Sequence, residues 1–228
     1  MVEQQMENIL QNLTTKRFEY TPNPIESYDQ FIKRKSQVIQ AWHDKNIGKA
    51  LEGIKLFADT ANDNERVRDL PNKLSTLEQT LEKECEGKDV KAFVKHFNEH
   101  NIFGLIEEDF NYLLELATKM ENDGKIHEAC CMYRALTVLF PAKIDGWLNW
   151  GSMELEHFFD YNAILLIYEE CLLIFDDPFV YYCIACCHIK GNEINLAKDS
   201  LEKTIKRSIE INDIETREKA EKMLAALG

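Results

Sequence analysis

Two stretches hold residue types able to bind metals or break bonds. His96-Phe97-Asn98-Glu99-His100 has the H-x-x-E-H spacing, which on a helix sets two imidazoles one turn apart with a carboxylate beside them as base for zinc hydrolysis. It stands where a helix is ending, and the acids that would supply a third ligand, Glu169 and Glu170, fall in a segment explained by packing. Cys183-Ile184-Ala185-Cys186-Cys187-His188 is half of a thiolate site. Zinc needs four ligands in a tetrahedron, no second C-x-x-C completes the set, and Cys130, Cys131 and His127 would join only by accident of packing. As small hydrophobes these cysteines instead let helices approach closely.

Nothing else has a catalytic pattern. The chain has no G-x-x-x-x-G-K-[ST] loop, G-x-G-x-x-G turn or G-x-S-x-G elbow. Trp147 and Trp150, three apart, read as core rather than a ligand box. No catalytic residue, metal ligand or cofactor is expected, and the chain is read as a non-enzyme.

The elements that would position such residues repeat. Ala129, Ala163 and Ala197 are spaced by 34 residues, the period of the tetratricopeptide repeat, in which two antiparallel helices cross closely where a small residue sits. Gly124 and Tyr133 in the first copy, Trp147 and Gly151 in the second, and Tyr181, Ala185 and Leu201 in the third fall in phase. The segment from Ile211 to Leu227 carries Ile214, Ala220, Met223, Leu224 and Leu227 on one side, as a closing helix would. The fold class is therefore all-α: a tetratricopeptide solenoid of three helical hairpins with a C-terminal capping helix, over 87–228, preceded by a helical N-terminal region, 1–86.

That region is less regular. A short helix is expected over 3–14 and, after Thr21-Pro22-Asn23-Pro24, helices over 25–43 and 46–60, the latter with Ile47, Ala50, Leu51, Ile54, Phe57 and Ala58 inward. Leu70, Leu74, Leu77 and Leu81 form one helix face. It reads as a helix packed on its neighbours; a coiled-coil seam, which would make a homodimer, needs heptads sustained over three or four repeats. Gly87 marks a hinge, and a helix over 89–99 leads through 101–105 into the repeats.

The totals bound the function. With 40 acids against 27 bases the formal charge is −13, which repels polyphosphates and argues against nucleic-acid partners. No run approaches the roughly 18 apolar residues of a membrane helix. Seven cysteines in a chain that opens without a secretory signal pattern point to a reducing cytoplasm.

In tetratricopeptide arrays the first helix of each pair lines a concave groove, and that resemblance implies a row of groove positions here. They are Asn111, Leu114, Thr118 and Glu121; Asp145, Leu148, Ser152 and Leu155; and Phe179, Tyr182, Cys186 and Ile189. Arrays that clamp acidic chaperone tails carry cations at such positions; Leu114, Leu148 and Tyr182 replace them, and Glu121 and Asp145 would repel a carboxylate. The peptide-binding set is therefore Leu114, Thr118, Leu148, Ser152, Leu155, Phe179, Tyr182, Cys186 and Ile189, suited to an extended apolar peptide. Phe18 and Tyr20, beside the prolines, are candidate occupants from this chain or a neighbour.

A narrower resemblance runs from 104 to 208. Its residues are Gly104-Leu105-Ile106-Glu107-Glu108-Asp109, Leu114-Glu115-Leu116-Ala117, Gly124-Lys125-Ile126-His127-Glu128-Ala129 and Trp147-Leu148-Asn149-Trp150-Gly151. They continue in Asp160-Tyr161-Asn162-Ala163-Ile164, Asp177-Pro178-Phe179-Val180-Tyr181-Tyr182, Cys186-Cys187-His188-Ile189-Lys190-Gly191 and Ala197. This stretch resembles the class II chaperones of bacterial type III secretion, which bind translocator proteins before export. The resemblance implies a cytoplasmic chaperone whose partner is an apolar segment of a secreted protein. The alternative is a structural adaptor or secretion-apparatus component joining two proteins through its repeats and N-terminal half.

Overall fold

The computed structural model describes residues 48–61, 64–73, 103–159 and 161–228, and all regular structure among them is helical. The helices expected over 3–14, 25–43 and 89–99, the His96–His100 motif, Phe18, Tyr20, and Leu74, Leu77 and Leu81 lie outside the described residues.

A helix over 48–60, here α1, is followed by the short α2, Glu65–Arg68. The repeats are α3, Glu107–Asn122, with α4, Ile126–Leu139; α5, Ile144–Met153, with α6, Tyr161–Ile174; and α7, Pro178–Lys190, with α8, Ile194–Ile211. The closing helix α9 is Ile214–Ala226. Each helix packs on the next from α3 to α9, except that α5 continues as one wide turn, Glu154–Phe158, before the chain reverses. This is a tetratricopeptide-type stack of three hairpins.

The boundaries follow local chemistry. Asp109 accepts from the Ile106 N–H at 2.9 Å and closes the first turn of α3. Asp177 caps α7 by accepting from Phe179 N at 2.8 Å, with Pro178 where a missing N–H costs nothing. Asp213 accepts from Thr216 N at 3.1 Å to start α9. Asn212, at φ 60°, ends α8 in the left-handed conformation that a short polar side chain tolerates.

Ala129 and Ala197 are buried at the crossings, whereas Ala163 keeps partial exposure. Gly151 lies where any Cβ would run into the Tyr168 ring, so α5 and α6 approach only because that residue has no side chain. Trp147 and Trp150 are core, with ring centroids 6.4 Å apart. The α4 helix is buried all round from Ala129 to Thr137, including Arg134, whose guanidinium lies 4.5 Å above the Trp150 ring.

The sequence placed Leu51 and Ile214 inward, and both are exposed. Leu51 is on the face of α1 turned from Ala50, Ile54 and Phe57, and Ile214 is the first residue of α9, ahead of its first contact turn. Ile211 ends α8 rather than opening the cap. In α9, Ala220, Met223, Leu224 and Leu227 do pack with Leu201 and Ala185 of the third repeat.

What covers α4 is α1. Gly53 sits where a Cβ would overlap the Cys131 carbonyl, so the two helices touch backbone to backbone. Ile54, Phe57, Ala61, Val67 and Leu70 therefore share one core with Leu113, Tyr133, Trp150 and Ile184 of the repeats.

Candidate peptide-binding face

The residues expected to line a groove all fall on the first helix of a pair, and none is sealed from solvent. Leu114, Leu148, Leu155, Phe179, Tyr182, Cys186 and Ile189 are half-buried, while Thr118 and Ser152 are exposed. Beside them on the same helices Leu113, Ala117, Trp150, Gly151, Ile184 and Ala185 are buried. A helix has one stripe for its core and another for water, and the candidate row lies at the margin of the two.

Its members are held by their neighbours. Leu114, Leu148 and Leu155 rest against the main core. Thr118 Oγ1 donates to the Leu114 carbonyl at 2.9 Å and lies 3.2 Å from Tyr133 Oη, which donates to Glu121 at 2.7 Å. The rings of Phe179 and Tyr182 stack at 6.0 Å between centroids. Tyr182 also packs against the cluster of Ala185, Leu201 and Ala220, the last from the closing helix, so it supports the array as well as facing outward. Of the acidic residues flanking the row, Asp145 is exposed and Glu121 half-buried.

The cysteine cluster divides along α7. Cys187 is buried, Cys183 and Cys186 are half-buried, and all three are free thiols. Burial pushes Cys183 and Cys187 up to about 12, so both thiols are protonated at neutral pH and poor nucleophiles. His188 is turned to Glu193, with Nδ1 2.7 Å from its carboxylate.

Sequence reasoning missed the polar ties between the N-terminal region and the repeats. Lys49 Nζ lies 2.5 Å from Glu154 Oε1, a carboxylate that is 7% exposed and also accepts from Trp150 Nε1 at 3.3 Å and Cys130 Sγ at 3.4 Å. Buried Asp109 accepts from Arg66 Nε at 2.9 Å and Asn64 Nδ2 at 2.6 Å. Burial would raise the Asp109 carboxyl, but the hydrogen bonds from Arg66, Asn64 and the Ile106 N–H outweigh it and hold it below the usual range. Glu52, His127 and Cys131 meet where α1 crosses α4. Each tie joins residues 43 to 105 positions apart, and no local pattern marks one.

No protein-family model and no curated protein matches the chain. Several solved structures are similar to it. PcrH from Pseudomonas aeruginosa is 21% identical, over 54% of this chain and 94% of its own, at a TM-score of 0.49. It also occurs in complex with the chaperone binding region of PopD. The Yersinia enterocolitica type III secretion translocator chaperone SycD is 20% identical over 54% of this chain and 87% of its own, at 0.47. A type III secretion complex from Aeromonas hydrophila is 16% identical over 59% and 93%, at 0.49. Among the described residues no helix is long and apolar enough to cross a membrane.

Proposed function

We propose that the chain is a non-enzymatic peptide-binding chaperone of the type III secretion class, holding an extended apolar segment of a secreted protein along Leu114, Leu148, Leu155, Phe179, Tyr182 and Ile189. The single observation carrying this function is that these side chains recur at repeat spacing on the first helices and stay half open to solvent, while their helix neighbours are buried. Two or three anchors buried by the occupant, each contributing about 1.5–3 kcal/mol, leave micromolar affinity once association costs are met. The acidic flank, Asp145 and Glu121, disfavours a carboxylate-ended peptide and suits an internal segment or one with basic residues.

The test is photo-crosslinking in the native cell from a benzophenone amino acid at exposed Ser152, with exposed Lys206 on α8 as control. A secreted protein is expected to be captured from position 152 and not from 206, through an apolar segment. Equal capture from both positions would refute the row as the binding face.

A further inference from the structure

Glu52 on α1 and His127 and Cys131 on α4 bring an oxygen, a nitrogen and a sulfur within 4.8 Å of one another. Glu52 Oε1 is 3.2 Å from His127 Nε2, and Cys131 Sγ is 3.7 Å from the same nitrogen. A tetrahedral zinc ion, with bonds of about 2.0 Å to nitrogen and oxygen and about 2.3 Å to sulfur, separates its ligands by roughly 3.3–3.6 Å. The two measured edges match such a site.

The local structure explains the convergence. His127 and Cys131 are four residues apart on α4 and so share one face a turn apart. Gly53, by lacking a side chain, lets α1 lie against the Cys131 carbonyl, and that contact delivers its neighbour Glu52. Exposure is split usefully: the Glu52 and His127 side chains are 49% and 58% accessible, whereas Cys131 is sealed. An ion would enter from the Glu52–His127 side and meet a sheltered sulfur, with water completing the tetrahedron.

We propose that Glu52, His127 and Cys131 form a binding site for a zinc-class divalent ion that staples α1 to the first repeat. The mixed oxygen, nitrogen and sulfur set selects zinc-like ions over magnesium or calcium, which take oxygen ligands. The surrounding charge is mixed: Glu128 adds to the negative field at Cys131, and Lys49 opposes it while paired with Glu154. The ion displaces the thiol proton. The site lies on the second helix of the first hairpin, apart from the peptide row, and stands independently of the chaperone function.

The experiment is a cobalt(II) titration of the full chain, stripped of metal and kept reduced, followed by displacement with zinc. The expected result is one equivalent bound with a thiolate-to-cobalt charge-transfer band. Cys131→Ser removes the band, and His127→Gln and Glu52→Gln each weaken binding about tenfold or more. Both of the latter sit on exposed side chains, so their fold, checked by circular dichroism, is retained. Cys186→Ser is the control and keeps full binding. No charge-transfer band in excess cobalt would overturn the proposal. A band that survives both His127→Gln and Glu52→Gln, or is lost only in Cys186→Ser, would do the same.

Discussion

Replacing Lys49 by Met tests whether the N-terminal helix is structurally part of the repeat array. The substitution keeps the aliphatic length and removes the ammonium 2.5 Å from Glu154 Oε1. Glu154 is buried and keeps, among the described residues, Trp150 Nε1 at 3.3 Å and the weak Cys130 donor. Removing one partner of a buried pair costs about 3–5 kcal/mol, because the other charge is left without compensation. For a chain of this size that loss lowers the melting temperature by roughly 6–20 °C. Lys49→Met combined with Glu154→Gln removes both charges, keeps an acceptor for Trp150, and is expected to regain most of the loss. The assay is thermal unfolding followed by circular dichroism at pH 7. A single variant within 1–2 °C of wild type at pH 7, or a double variant no better than the single, would refute a buried tie between α1 and the second repeat.

Further predictions follow the same geometry. Asp109→Asn is expected to cost about 2 kcal/mol at neutral pH, since the charge-assisted bonds from Arg66 and Asn64 weaken. The folded-state value of that carboxyl is depressed, so its contribution is present above the unfolded value near 3.9 and lost as pH falls through the folded value; denaturant melts of wild type and variant should converge in acid. Tyr133→Phe removes the hydroxyl donating to Glu121 at 2.7 Å and should cost about 1 kcal/mol in urea unfolding, with no change in helix content. Cys130, Cys131, Cys183 and Cys187, pushed by burial up to about 12, should resist iodoacetamide at pH 8 in the folded protein and react on unfolding, read by mass spectrometry.

The repeats were legible because their signal is periodic: small residues every 34 positions mark helix crossings, and Gly151 against Tyr168 is one such crossing. The placing of Leu114, Leu148 and Tyr182 at equivalent points on three first helices was legible for the same reason, since it follows from repeat spacing. Single hydrophobic residues were less so. Leu51 and Ile214 have core chemistry, but a helical pattern does not say which side a neighbour will cover, and theirs is open. The second role of Tyr182, packed on α9, was hidden because the cap's contact register is not written in the repeat. The convergence of Glu52 with His127 and Cys131, and of Lys49 with Glu154, depends on where α1 docks. Gly53 is the residue that decides this, and a lone glycine in a helix announces no partner.

The central claim, that the half-buried row on the first helices is a peptide-binding face, is met most directly by an affinity measurement on the segment crosslinked at position 152. Leu148→Glu places a carboxylate at the middle of the row without touching the α9 packing that Tyr182 serves. Titrating the fluorescently labelled segment by anisotropy is expected to give micromolar binding to wild type and at least about a tenfold loss in Leu148→Glu, with the array still folded by circular dichroism. Equal affinity for the two folded proteins would contradict the account.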